Sequence, residues 1–145
     1  RLLTEAEANQ LVPESQLRHD DPGWLPVADA DRTTDARFAS LALTTALRRH
    51  ARPVETADGR TPGRDLSQVR VVIASGGVFR HADPAQCAAM LAPVTSDHGG
   101  GWKVPRAPRV TVDRRYVMAA AGLLSDDYRD AAVALLAAEL SDVLP

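Results

Sequence analysis

The stretch Val69–His81, reading V-R-V-V-I-A-S-G-G-V-F-R-H, constrains this chain more than any other. Val69, Val71, Val72, Ile73 and Ala74 form a nearly continuous, mostly β-branched run, the pattern of a strand buried on both faces. Ser75-Gly76-Gly77 breaks that run abruptly. Asp83-Pro84-Ala85-Gln86 then spells a helix start: Asp83 can cap, Pro84 suits the first turn and Gln86 can reach back to the cap. A strand, paired glycines and a helix together bare backbone N–H groups that favour phosphate or another anion. A tight turn that needs positive φ at glycine and binds nothing fits the same spelling. Spacing alone favours the plainer turn. The expected fold is α/β: a mixed sheet with 69–74 as its central strand and helices on both faces.

A chain of 145 residues suits one domain with a real core. Its net charge of -2 gives no electrostatic pull toward nucleic acid or a membrane surface. No apolar run approaches the roughly 20 residues that span a bilayer, and no signal-peptide pattern is present. The single cysteine, Cys87, excludes an internal disulfide and fits a reducing, cytoplasmic setting. Its place on an apolar helix face marks a buried, inert thiol rather than a nucleophile. Because the first residue is Arg1 rather than methionine, a processed or excised piece of a longer protein is expected.

Thr4-Glu5-Ala6-Glu7 is a capping-box spelling, so a short helix is expected over 4–11, stopped before Pro13. From Pro13 to Thr34 the chain is polar and carries Pro22, Gly23 and Pro26, which reads as an extended connection pinned by Trp24. Asp35 is expected to open a helix, capped by Thr34 or Asp35. Its stripe would be Phe38, Leu41, Ala42, Thr45 and Ala46, its last turn Arg48-Arg49-His50, and its end Pro53. Residues 57–63 read as a turn-rich loop. The helix after the glycines is expected over 83–91, burying Cys87, Ala88 and Met90 or Leu91 and ending at Pro93. Gly99-Gly100-Gly101 reads as a mobile loop or an anion-holding nest. A second strand is expected over 108–112 and a helix over 116–124, where Gly122 suggests close approach to a strand. Ser125 is expected to cap a last helix carrying Tyr128, Ala131, Ala132, Leu135, Leu136 and Leu140 on one face.

Several chemistries fail on spacing. Ser75–Arg80 lacks the G-x-G-x-x-G dinucleotide fingerprint, no G-K-S or G-K-T phosphate loop occurs, and no G-x-S-x-G elbow is present. His50, His81 and His98 lie in different elements without metal-ligand spacing, and contiguous His19-Asp20-Asp21 side chains cannot easily converge on one ion. Nucleotide binding by the paired-glycine loop survives.

V-V-I-A-S-G-G-V-F-R-H-A, then G-W-K-V-P-R and V-D-R-R-Y-V-M-A-A-A-G-L-L, resemble the carboxy-terminal part of the MutL (glutamate mutase accessory) family. That family belongs to the actin-like ATPase superfamily, and the match is specific from Asp35 to Leu124. The resemblance implies the second lobe of an actin-like (ribonuclease H-like) ATPase. Residues 1–34 would be a short helix and inter-lobe connection, and 35–145 the nucleotide-binding lobe. It implies ATP and magnesium in the full-length protein, with Ser75, Gly76 and Gly77 as the residues on this side of the nucleotide; Arg80 is close enough in sequence to lend charge there, and a simple surface role fits it equally. It also implies an adenosylcobalamin-dependent mutase as partner. The opposing Asp-Gly-x-Ser/Thr-like turn and the metal-positioning carboxylates have no counterpart here, so the chain alone would be half a site, with no ligand expected on the fragment. A non-catalytic interaction domain and a small-molecule kinase lobe are the alternative expectations.

Overall fold

Strands β3 (Val71–Ser75) and β4 (Arg109–Asp113) lie side by side and parallel, in the register Val71↔Arg109 through Ser75↔Asp113. Parallel neighbours need a crossover, supplied here by helices α3 (Gly77–His81) and α4 (Pro84–Ser96). The computed structural model describes residues 2–97 and 103–140. Within them the remaining elements are α1 (Glu5–Asp20), α2 (Asp29–Ala51), β1 (Val54–Thr56), β2 (Gly59–Thr61), α5 (Val117–Leu124) and α6 (Arg129–Glu139). Gly99-Gly100-Gly101 and Trp102 lie outside the described residues.

The period-2 alternation of a strand sorts β3 onto two faces. Ala74, paired with Val112, packs with Phe79 of α3 and with Cys87, Met90, Leu91 and Val94 of α4. Ala36, Ala39, Leu43 and Leu47 of α2 close the outside of this cluster. On the other face, Val71 and Ile73 meet Val117 of α5 and Leu135, Leu136 and Leu140 at the end of α6. Helices therefore cover both faces, as the apolar run predicts. The mixed sheet does not form among the described residues. β1 and β2 make a separate antiparallel hairpin, and β3 pairs with β4 alone. Val71, Val72 and Ile73 are accordingly half-buried rather than central.

Proline misleads at two helix ends. α1 runs through Pro13 to Asp20, and α4 runs through Pro93 to Ser96. An internal proline removes one backbone bond and strains the preceding turn, but residues beyond it can offset that. Val94 is 3 % exposed, and Arg18 pairs with Glu14 at 2.9 Å and with Asp35 at 2.6 Å. α2 starts at Asp29 instead of Asp35, because the Asp31 carboxylate accepts the Ala28 and Val27 N–H groups at 2.9 and 3.1 Å. The irregular connection shrinks to 21–28. The core stripe of α2 is Ala36-Ala39-Leu43-Leu47, while Phe38 faces the Arg18 guanidinium at 5.4 Å and Ala42 and Ala46 are exposed.

Other boundaries follow the sequence closely. Thr4 and Glu7 form the capping box of α1, and Asp83 and Gln86 that of α4. Cys87, Met90 and Leu91 are buried, whereas Ala88 is exposed. Residues 57–63 hold the hairpin turn and β2 rather than a plain loop. Gly122 approaches no strand, since a Cβ added there meets nothing within 4 Å. Ser125 closes α5 instead of opening α6, which starts after Tyr128, and Tyr128 and Ala131 face solvent. Among the described residues no helix is long and apolar enough to cross a membrane.

None of the residues of α1 is fully buried, and ion pairs tie it to α2. Arg37 pairs with Glu7 at 3.0 Å. Arg18 joins Asp35 and lies over the Trp24 ring at 4.2 Å, so the expected tryptophan anchor works through a cation. Arg18→Ala is expected to cost about 2 kcal/mol, because it strips a partly buried carboxylate of its partner and uncovers the ring. Arg18→Lys should recover less than half, since ammonium cannot combine stacking with a planar fork. Urea denaturation followed by circular dichroism checks both.

Candidate functional site

Parallel strands put their carboxyl ends at one edge of the fold, so Ser75 and Asp113 are register partners there. The chain leaves β3 toward the face covered by α3 and α4, and leaves β4 toward the face covered by α5 and α6. Exits to opposite faces make the end of this strand pair a topological switch point, the kind of position where open α/β sheets bind ligands. The loops are Ser75-Gly76-Gly77 and Asp113–Tyr116.

The first loop turns at once into α3, not into the helix at Asp83 that the sequence suggests. Gly76 is the cap residue, at φ 132° and ψ 162°, a conformation essentially reserved for glycine. The Gly76 carbonyl accepts from Phe79 N–H at 3.1 Å and from Arg80 N–H at 3.0 Å. Gly77 and Val78 are thus the first-turn residues whose N–H groups have no intrahelical acceptor. Gly77 needs no special φ, and a Cβ there would touch the Tyr116 hydroxyl at an ordinary 3.7 Å. The two glycines are therefore not equivalent: the turn requires glycine at Gly76, whereas neither backbone conformation nor space requires it at Gly77.

The second loop is organised by Asp113, 1 % exposed. One carboxylate oxygen accepts from Val117 N–H at 2.8 Å; the other accepts from Met118 N–H at 3.1 Å and from the Ser75 hydroxyl at 3.2 Å. The carboxylate thereby caps α5 and ties the glycine loop to it. Tyr116, between them, adopts a left-handed backbone at φ 57°, which costs about 1–2 kcal/mol for a residue with a Cβ. Its ring sits 5.0 Å from the Arg80 guanidinium. Arg114 donates to the carbonyls of Ala82 at 3.0 Å and Arg80 at 3.1 Å.

Of the four residues singled out by sequence, Ser75, Gly76 and Gly77 are contiguous at the carboxyl end of β3 and Arg80 lies one helical turn further on, stacked on Tyr116. Gly77 also borders a cleft of about 730 Å³ under the 21–28 connection, with Trp24, Leu25, Arg32, His81 and Met90. Ser75, Gly76 and Arg80 do not line that cleft. Asp113, Arg114 and Tyr116 escape sequence reasoning, which takes Asp113-Arg114-Arg115 for a simple strand exit. No local signal marked Asp113, whose carboxylate accepts from N–H groups four and five residues on, beyond the two- or three-residue reach of an ordinary N-cap.

Gly76→Ala is expected to destabilise the protein by about 2 kcal/mol through backbone strain alone, because the space around its Cβ is empty. Gly77→Ala should stay within about 0.5 kcal/mol. Paired thermal melts of the two variants check the distinction.

The sequence profile described as MutL protein matches residues 1–140. A curated relative, Protein MutL of Clostridium tetanomorphum, is 29% identical over 122 residues, which cover 77% of this chain. The chain spans only 25% of that relative's length. No solved structure matches significantly. With its profile match running through nearly every residue described above, the chain belongs to the MutL protein family.

Proposed function

We propose that this chain is the α/β lobe of an ATPase-type accessory protein serving an adenosylcobalamin-dependent mutase in the cytoplasm. It would correspond to the second lobe of an actin-like ATPase. The observation that carries this reading is the glycine loop at the carboxyl end of the parallel pair β3 and β4, in a chain of the MutL family. The mutase partnership rests on family kinship.

The residues fit half of a phosphate site. Gly77 and Val78 offer first-turn N–H groups, Gly77 lets a ligand approach closely, and Arg80 adds charge after leaving its stack on Tyr116. α5 starts at the same end of the strand pair, but its first N–H groups already serve the buried Asp113 carboxylate. Phosphate would therefore face α3. Magnesium and the opposing phosphate contacts would come from a second lobe beyond these residues, which is why half a site binds feebly and excludes water poorly.

The test uses the full-length protein and a non-hydrolysable ATP analogue with magnesium, followed by calorimetry. Gly77→Val is the informative substitution, since Gly76→Val would strain the backbone whatever its effect on binding. Gly77→Val should weaken binding at least about tenfold while the melting temperature moves little. Wild-type affinity in that variant would reduce the loop to a turn. The isolated 145 residues should show no measurable ATPase activity, and robust magnesium-dependent hydrolysis by them would overturn the half-site argument.

A further inference from the structure

We propose that Arg114 is the positioning residue of the glycine loop: it holds the carboxyl end of α3, and through that helix sets Gly76, Gly77 and Arg80. The role in nucleotide binding rests on the reading above; the brace itself does not.

α3 has five residues, too few for a helix to stand on its own hydrogen bonds. Its amino end is held through Ser75, which donates to Asp113 at 3.2 Å. Its carboxyl end presents carbonyls that no further turn can satisfy. Arg114 Nη1 reaches three carbonyls there: Ala82 at 3.0 Å, Arg80 at 3.1 Å and Phe79 at 3.5 Å. One guanidinium NH₂ carries two hydrogens, so the two short contacts are the ones it can make together. The positive charge also suits the negative end of the helix.

The side chain starts from a fixed point. Arg114 N–H donates to the Val112 carbonyl at 3.0 Å, closing a tight turn directly after β4. Its other terminal nitrogen lies 3.9 Å from the buried Cys87 sulfur, which itself contacts the Phe79 carbonyl at 3.5 Å. Asp113 and Arg114, adjacent in sequence, thus grip opposite ends of the same short helix. Loss of the Arg114 grip frees the carboxyl end of α3, and with it the direction in which Arg80 and the first-turn N–H groups point.

The experiment compares wild type, Arg114→Met and Arg114→Lys in the full-length protein, by hydrogen exchange and by ATP-analogue binding. Met keeps the length of the side chain without donors, and Lys keeps charge and donors. In Arg114→Met, exchange over 76–82 should rise about tenfold and analogue affinity fall about tenfold, with α5 and α6 unchanged. Arg114→Lys should restore most of both. Unchanged exchange over 76–82 overturns the proposal, as does an equal rise in α5 and α6, which would mean general support of the fold. Failure of Lys to rescue also overturns it. If wild type binds no analogue, the nucleotide reading fails, and the exchange pattern still decides for or against the brace.

Discussion

The Asp113 carboxylate is the interaction on which the arrangement at the carboxyl ends of β3 and β4 depends. A buried charge is tolerated only when it is hydrogen-bonded. Here two helix N–H groups and a hydroxyl from the neighbouring strand donate to it. The consequence is geometric. The end of β3, the end of β4 and the start of α5 cannot move independently, so the glycine loop inherits its position from the opposite face of the sheet. The burial of apolar surface on each face would be compatible with some sliding of helices over strands. A carboxylate bonded to three donors at the edge is not.

That division of labour explains which parts were legible in the sequence. The β-branched run, the second strand and the two capping boxes are local or strongly periodic, and they appear within a residue or two of where pattern places them. The helix ends around Pro13 and Pro93 were not legible, because propensity penalises a proline locally while the compensation is tertiary. For Pro93 it is the burial of Val94, and for Pro13 the Arg18 ion pairs. The start of α2 was hidden for a related reason. Acidic residues such as Asp29 and Asp31 look like solvated loop, yet a carboxylate beside free N–H groups is what a helix start requires.

The site was half legible for a physical reason too. Glycines after a buried strand announce a loop with unusual backbone, and Gly76 has one. What surrounds that loop comes from residues about 38 positions later, brought in by strand register. Register is a property of the pair, and no single strand encodes it. Asp113, Arg114 and Tyr116 therefore read as an ordinary charged exit until β4 is laid beside β3.

The same contrast between apolar and ionic holding predicts how the fold should respond to acid. Two carboxylates in the first two helices lie below their ordinary ionisation range. The Thr4 backbone N–H, then the Thr4 hydroxyl, depress Glu7, with help from Arg37. The Ala28 and Val27 N–H groups depress Asp31. A depressed folded-state value means that the group stabilises the fold above its unfolded value and loses that contribution as pH falls through the folded one. The windows therefore open downward from 4.5 for Glu7 and from 3.8 for Asp31. Protonation of Glu7 opens the α1 capping box and its tie to Arg37, and protonation of Asp31 uncaps α2 beside Trp24. α4, α5 and α6 keep the apolar contacts that fix them to the sheet. Acidification through these windows should shift amide resonances of 4–8 and 27–31 before those of β3 and β4, in two-dimensional NMR spectra. Simultaneous loss of both sets would show that α1 is held by more than its ion pairs and caps.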